Sequence, residues 1–239
     1  MPNVALVFAG GTGKRMNTRT KPKQFLELHG KPILVYTLEQ FERHPEIDGI
    51  VLVILQDWLE HARKLVKRFG ISKVKAVVPG GVTAFASQRE GLLAAARLFP
   101  PDSVILVHDG VRPLVKEETI SKNIESVKIR GSAITVTPAI ETITLKTESG
   151  EIGQIIERSK VELARAPQSF FLKDLLEAHG KAAREGLEFI DTASLMRHCG
   201  YPLFSVEGSP ENIKITTPDD FYMFRAMVDA RENSQIFGI

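Results

Sequence analysis

The sequence predicts an α/β fold: a mostly parallel sheet with helices on both faces and an inserted β-hairpin arm. Three observations carry this reading. Unbroken apolar, β-favouring runs at residues 4–9, 50–55, 74–78 and 104–108 have the pattern of strands buried on both faces. Between them lie stretches with apolar residues at helical spacing, the alternation that builds parallel sheets. The alternation breaks once, between residues 137 and 165, where Glu141-Thr142-Ile143-Thr144-Leu145-Lys146 alternates polar with apolar ahead of a Glu148-Ser149-Gly150 turn signal.

Taken in order, the first strand runs straight into Gly10-Gly11-Thr12-Gly13, where missing side chains permit a tight turn and expose backbone N–H groups. Residues 14–23 then carry five cations, Lys14, Arg15, Arg19, Lys21 and Lys23, and no acid. Strand, bare N–H groups and concentrated positive charge describe a polyphosphate cradle. The alternative is a strand-to-helix turn followed by a solvated basic loop. A P-loop is excluded, because Phe8 stands where its first glycine belongs and Arg15 where Ser or Thr must follow the lysine. A dinucleotide fingerprint fails at Met16, the place of its third glycine.

Helical spacing of Ile33, Leu34, Leu38 and Phe41 predicts a helix over residues 32–43, and Trp58, Leu59, Ala62, Leu65, Val66 and Phe69 predict one that ends at Gly70. Trp58 at this spacing is read as core. Further helices are predicted over 86–99, 173–185 and 191–199, with a strand over 203–206. The last helix has a start signal: Thr217 as N-cap, Pro218 as first residue and Asp220 three positions on, with Phe221, Phe224 and Val228 as its buried face. No repeat or linker divides the chain, so residues 1–239 are expected to form one domain with residues 138–164 as the inserted arm. An isolated two-stranded ribbon is marginal, so the arm must pack on its own subunit or on a second one.

Composition narrows the function classes. At 239 residues, 43% hydrophobic and 25% charged, the chain is long enough for a large core, and its net charge of +2 argues against a nucleic-acid partner. Residues 14–23 are also not interleaved with aromatics. Cys199 is the single cysteine, and the six histidines have no zinc-ligand spacing. Residues 1–9 do not form a signal peptide, and no apolar run approaches the roughly 20 residues that span a bilayer. The chain therefore reads as cytoplasmic, with no membrane partner.

The ends of the predicted parallel strands collect the chemistry. Gly10–Gly13, Gly80-Gly81 and Asp109-Gly110 all fall at carboxyl ends, where such sheets bind ligands. Asp109 can hold Mg²⁺ against phosphate oxygens, directly or through water, and Arg112 can grip a second phosphate bidentately. Their alternative is a loop ion pair without function. Lys23 follows Pro22, which stiffens its approach, and Lys214 points opposite to Ile213 and Ile215, toward a cleft or solvent. The ligand set this implies is a nucleotide polyphosphate, a magnesium ion and an anionic second substrate. A phosphate monoester, largely dianionic above a second pKa of about 6, can attack an α-phosphorus with no protein nucleophile.

These motifs together resemble the 2-C-methyl-D-erythritol 4-phosphate cytidylyltransferase family of the non-mevalonate isoprenoid pathway. The resemblance rests on residues 9–16, Pro22-Lys23-Gln24, Gly80-Gly81 with Ser87, His108-Asp109-Gly110-Val111-Arg112-Pro113, Pro167-Gln168 and Asn212-Ile213-Lys214-Ile215-Thr216. It implies a Rossmann-like sheet of the nucleotide-diphospho-sugar transferase type, with Arg15 and Lys23 on the CTP triphosphate and Lys214 on the α-phosphate as the catalytic cations. It implies that Gly81 and Ser87 read the cytosine, that Ala9, Gly10, Gly11 and Gly13 supply nucleotide-binding backbone, and that Asp109 and Arg112 lie between nucleotide, metal and acceptor. Thr142 and Arg158 of the arm would reach the acceptor in the partner's site, which implies a homodimer with shared active sites.

The sequence departs from the family pattern at three places. Ala84 stands where arginine is usual, with Arg89 as a replacement cation; Ala166 and Ile190 stand where threonine is usual. The related ribitol-5-phosphate cytidylyltransferases share the Pro-Lys-Gln-Phe and Asn-Ile-Lys-Ile-Thr blocks, so transfer to ribitol 5-phosphate is the alternative, and residues 140–192 separate the two. A non-catalytic nucleotide-binding module is the third reading.

Overall fold

The computed structural model describes residues 1–11, 16 and 21–237, without the side chains of 234–237. Arg15 and Gly13 therefore lie outside the described residues. The seven-stranded sheet is built from β1 (Asn3–Ala9), β4 (Gly49–Ile54), β5 (Val74–Pro79), β6 (Val104–Asp109), β7 (Ser132–Pro138), β10 (Glu162–Phe171) and β11 (Ser205–Glu207), in the order β11-β7-β10-β6-β1-β4-β5. β10 runs antiparallel to both its neighbours, while the other pairings are parallel. Two short strands, β2 (Glu27–Leu28) and β3 (Lys31–Pro32), pair with each other, and β8 (Ile143–Lys146) and β9 (Ile152–Ile156) form the arm.

The apolar runs sit in the middle of the sheet because both of their faces are covered. Ala5 and Val7 of β1 join one core with α1 (Ile33–Arg43), α2 (Leu59–Arg68) and α4 (Glu117–Arg130). Val4 and Leu6 join the opposite core with α3 (Ala84–Ala96), α5 (Leu172–Glu185) and α6 (Thr192–His198). Period-two alternation along a strand that is apolar on both sides requires helices on both faces. A third cluster seats α7 (Pro218–Phe237) through Phe224 and Val228 against Leu28, Ile33, Val111 and Ile215.

Local signals act where the sequence places them. α2 stops before Gly70, whose φ of +65° suits the left-handed residue after a helix. The start of α7 is a reciprocal cap: Thr217 Oγ1 accepts from the Asp220 N–H at 3.4 Å, and Asp220 Oδ2 accepts from the N–H groups of Thr216 at 2.8 Å and Thr217 at 2.7 Å. Trp58 stacks on Phe25, centroids 4.7 Å apart, as core packing.

Two features go beyond the sequence reading. α4 and β7 occupy residues 117–138, to which no element was assigned. Residues 165–171, between the arm and the helix expected from residue 173, likewise carry no expected element, yet they belong to β10, which enters the central sheet in the reversed direction. Both of its faces are buried, but Phe170 fills one while Ser169, hydrogen-bonded to Asn123, occupies the other, so it lacks the continuous apolar run that marks the parallel strands. Among the described residues no helix is long and apolar enough to cross a membrane.

Candidate active site

β6, β1, β4 and β5 are consecutive parallel strands that end on one edge of the sheet, and the loops leaving β1, β5 and β6 line a cavity of about 400 Å³. Its lining includes Ala9, Gly10, Gly11, Lys23, Gly81, Ser87, Asp109 and Lys214. Ala9, Gly10, Gly11, Gly81, Ser87, Asp109, Lys23 and Lys214, all singled out from sequence, thus converge here; Gly13, Lys14, Arg15 and Arg19 lie outside the described residues, and Lys21 pairs with Glu27 at 3.7 Å without lining the cavity. Gln24 donates from Nε2 to the Ala9 carbonyl at 2.6 Å, which draws the Lys23–Phe25 turn against the end of β1. Lys23 is buried, and a Cβ placed on Gly11 would lie 3.8 Å from its Cε, so the lysine stem crosses directly over the glycine loop.

The opposite wall is the loop into α3. Thr83 caps that helix, accepting from the Ala86 N–H at 3.1 Å, and no acid occupies the first turn. An acid reaches this helix end from outside the helix: the Glu188 carboxylate accepts from Thr83 Oγ1 at 3.1 Å. Gly81 is required by space: a Cβ there would meet the Ala86 Cβ at 2.5 Å and its backbone carbon at 3.0 Å. Ser87, almost fully buried, donates its hydroxyl proton to the Thr83 carbonyl at 2.8 Å. Its oxygen is left as an acceptor.

Asp109 and Lys214 form the hinge of the site. Asp109 Oδ1 accepts from Lys214 Nζ at 2.7 Å and Oδ2 from Arg112 Nε at 2.8 Å. Burial pushes the carboxyl up, but the charges of Lys214 and Arg112 outweigh it and hold its pKa at about 2. The ion-pair alternative is thus real as a contact, yet it lines a cavity. The Asp109 carboxylate is 11% exposed and Lys214 is 40% exposed, so the lysine reaches into open space. The segment 212–215 is held by the Ile215 N–H to Val111 carbonyl bond at 2.9 Å, with Ile215 fully buried, which turns Lys214 outward as the alternation predicts.

A second cavity of about 270 Å³ adjoins the first and shares Phe8, Ala84, Asp109 and Lys214 with it. Its remaining lining includes Gln88, Arg112, Arg165, Gln168, Asp191 and Thr192. Ala166 and Ile190 line it too, so all three departures from the family pattern, Ala84 included, meet in this cavity. Arg89 is exposed and lines neither cavity, which removes it as a replacement for the missing arginine. Thr142 and Arg158 are exposed on the arm and line neither cavity within one chain.

Residues that sequence reasoning did not single out hold the second cavity in shape. Asn212 donates from Nδ2 to the Ala166 carbonyl at 2.6 Å, and its own carbonyl accepts from Arg112 Nη1 at 3.0 Å, so one residue ties β10 to the arginine. His108, fully buried, lies 3.1 Å from the Arg112 carbonyl through Nε2. Burial pulls its pKa down to about 4, which keeps it a neutral donor to that carbonyl. The Gln168 carbonyl oxygen Oε1 accepts from the Ala193 N–H at 2.8 Å and fixes the start of α6. Only the motif blocks around His108, Gln168 and Asn212 hinted at these roles.

Comparison with known proteins agrees with this architecture. The family model for IspD, 2-C-methyl-D-erythritol 4-phosphate cytidylyltransferase, matches residues 3–230. A ribitol-5-phosphate cytidylyltransferase of Streptococcus agalactiae serotype V is 51% identical over 240 residues, covering 100% of both chains. A 2-C-methyl-D-erythritol 4-phosphate cytidylyltransferase of Syntrophus aciditrophicus is 36% identical, covering 96% of this chain and 97% of its own. The crystal structure of 4-diphosphocytidyl-2C-methyl-D-erythritol synthase from Anaerococcus prevotii superposes with a TM-score of 0.82 at 27% identity, covering 95% of this chain and 96% of that one. A sheet with paired cavities at its carboxyl edge, matched end to end by nucleotidyltransferases of one kind, places this chain in the IspD family of cytidylyltransferases.

Proposed function

We propose that this protein transfers CMP from CTP to ribitol 5-phosphate, releasing pyrophosphate. The observation that carries the choice of acceptor is the location of the departures: Ala84, Ala166 and Ile190 all line the second cavity, while the matched pattern of the nucleotide cavity is otherwise kept. A relative at 51% identity bears the ribitol-5-phosphate name, against 36% for one bearing the methylerythritol name. Methylerythritol 4-phosphate, the acceptor first expected from the motifs, is the second reading, favoured by the description of the matched family.

In this reading CTP lies in the first cavity with its phosphates over Gly10 and Gly11 and against Lys23. Ser87, its proton directed to Thr83, offers a lone pair that suits the exocyclic amino group of cytosine and repels the O4 of uracil. Arg15 belongs to the same cradle by motif. A phosphate oxygen of the acceptor attacks the α-phosphorus, the α–β bridging bond breaks and pyrophosphate leaves. Lys214, on the wall between the cavities, stabilises the charge on the α-phosphate as the bond order shifts. Alignment of the two substrates supplies much of the remaining acceleration.

Asp109 is the single carboxylate that lines the nucleotide cavity among the described residues, and both of its oxygens already accept from cations. This suits Mg²⁺ held by substrate phosphates and water, with Asp109 in its outer shell, since magnesium keeps several waters and few protein ligands. When bound, the ion neutralises triphosphate charge and favours pyrophosphate departure. The arm supports a homodimer: Leu145, Ile152 and Ile155 are 51%, 68% and 65% exposed on a ribbon that has no core of its own. In the dimer Thr142 and Arg158 would complete the partner's acceptor site.

The test is pyrophosphate release with CTP and Mg²⁺, offering ribitol 5-phosphate and methylerythritol 4-phosphate separately, with UTP, ATP and GTP as nucleotide controls. Release with CTP and ribitol 5-phosphate is expected. Release with methylerythritol 4-phosphate alone would overturn the acceptor assignment and keep the chemistry; CTP binding without release from either would overturn both.

A further inference from the structure

The second cavity contains a cation with no part in the reading above. β10 pairs with β7 as far as Ala164 and resumes at Gln168, with a register shift between, and it meets β6 only from Gln168 onward. Arg165, Ala166 and Pro167 therefore have no ladder partners, and this is where the strand lines the second cavity. Such bulges re-aim side chains. This one is pinned on two sides, the Ala166 carbonyl by Asn212 Nδ2 at 2.6 Å and the Pro167 carbonyl by Thr135 Oγ1 at 2.7 Å.

Arg165 is half-buried, and its one hydrogen bond, from Nε to Thr137 Oγ1, is long at 3.4 Å. Among the described residues it has no carboxylate within ion-pair distance, whereas Arg112 and Lys214 both engage Asp109. Burial, and then the positive charge of Arg112, disfavour its charged form. Asp191 is the other acid of the cavity, but its Oδ1 accepts from the Ser194 N–H at 2.7 Å as the cap of α6. A guanidinium held beside a second cation, without a counter-charge, is a site where an anion gains most.

We propose that Arg165 is an acceptor-binding residue: with Arg112 it grips the phosphate monoester of the alditol phosphate from within the same subunit, so that one phosphate oxygen is presented toward Lys214. The proposal rests on the second cavity being the acceptor site, but not on which alditol phosphate is used. It assigns the charge of the acceptor to the bulge of β10 and leaves the polyol to Gln88, Gln168, Asp191 and Thr192.

The test uses the full-length protein and the variants Arg165→Gln and Arg165→Lys, with KM measured separately for CTP and for each alditol phosphate. Calorimetric titration of the same alditol phosphates reports binding independently of turnover. Arg165→Gln should raise KM and Kd for the acceptor roughly 10- to 100-fold, the loss of one or two charge-assisted hydrogen bonds, with KM for CTP unchanged. Arg165→Lys should recover part of that loss. Acceptor affinity equal in wild type and Arg165→Gln would overturn the proposal, as would a parallel rise in both KM values with a lowered melting temperature, the sign of a structural role. If the wild type takes methylerythritol 4-phosphate in preference, the ribitol assignment fails by itself, and the Arg165 contrast is read on that acceptor.

Discussion

The two cavities share a wall at Phe8, Ala84, Asp109 and Lys214 but are built by different means. The nucleotide cavity uses devices that are contiguous in sequence: a strand end, a glycine loop, a helix N-terminus. Each is backbone chemistry, and each recurs wherever a parallel strand feeds a phosphate site. The second cavity depends on a reversed strand, a bulge and a side chain, Asn212, that reaches from residue 212 to residue 166. In the proposed reading the first is a generic receiver of a nucleotide, and the second is where a choice among acceptors can be made without disturbing it.

Variants can break this division or sharpen it. Lys214→Ala, at the shared wall, should lower turnover by about 10³-fold, the scale of losing a transition-state charge partner, while the melting temperature falls little. A loss confined to KM would contradict its assigned role. Asp109→Asn should cost stability instead, on the order of 3 kcal/mol in urea unfolding, because Arg112 and Lys214 are left without their counter-charge.

That carboxylate also sets an acid limit. Its folded pKa of about 2 lies below the ordinary 3.8, so its contribution is fully present above pH 4 and is lost as pH falls toward 2. His108 and His179, buried and pulled from 6.5 to about 4, act in the same direction at higher pH, between about 6.5 and 4. The stability difference between wild type and Asp109→Asn should therefore shrink specifically between pH 4 and pH 2, by on the order of 2 kcal/mol.

Smaller effects separate the cavities. Asn212→Ala leaves the buried Ala166 carbonyl unpaired and frees the bulge; a stability loss of about 1–3 kcal/mol is expected, with acceptor KM raised and CTP KM unchanged. A rise in CTP KM of equal size would show the two cavities to be one mechanical unit. Ser87→Ala should relax the preference for CTP over UTP by roughly tenfold, about the value of one hydrogen bond, and leave the acceptor untouched.

The same contrast governs what could be read from the sequence. β1, β4, β5 and β6 were legible because burial on both faces forces an unbroken apolar run, and the glycines and cations that follow them are local. α4 and β7 carry no expected element, and β10 is hidden because each face of its buried stretch holds a polar, hydrogen-bonded residue, Gln168 beside Phe170 on one and Ser169 on the other, which disguises a central strand. Lys214 was placed by its alternation with Ile213 and Ile215. Asn212 and Arg165 act through contacts with residues distant in sequence, or through the lack of a counter-charge, and neither leaves a periodic trace. Arg15 and Gly13 lie outside the described residues, and the arm residues Thr142 and Arg158 line neither of the two cavities.

The most direct test of the claim that the second cavity chooses the acceptor is the ratio of kcat/KM for ribitol 5-phosphate to that for methylerythritol 4-phosphate. It should be measured in wild type and in the double variant Ala166→Thr/Ile190→Thr, with KM for CTP as internal reference. The account predicts that the ratio falls by about tenfold or more as hydroxyl groups are added to this wall, with KM for CTP constant. An unchanged ratio, or a ratio that moves only together with KM for CTP, would contradict it.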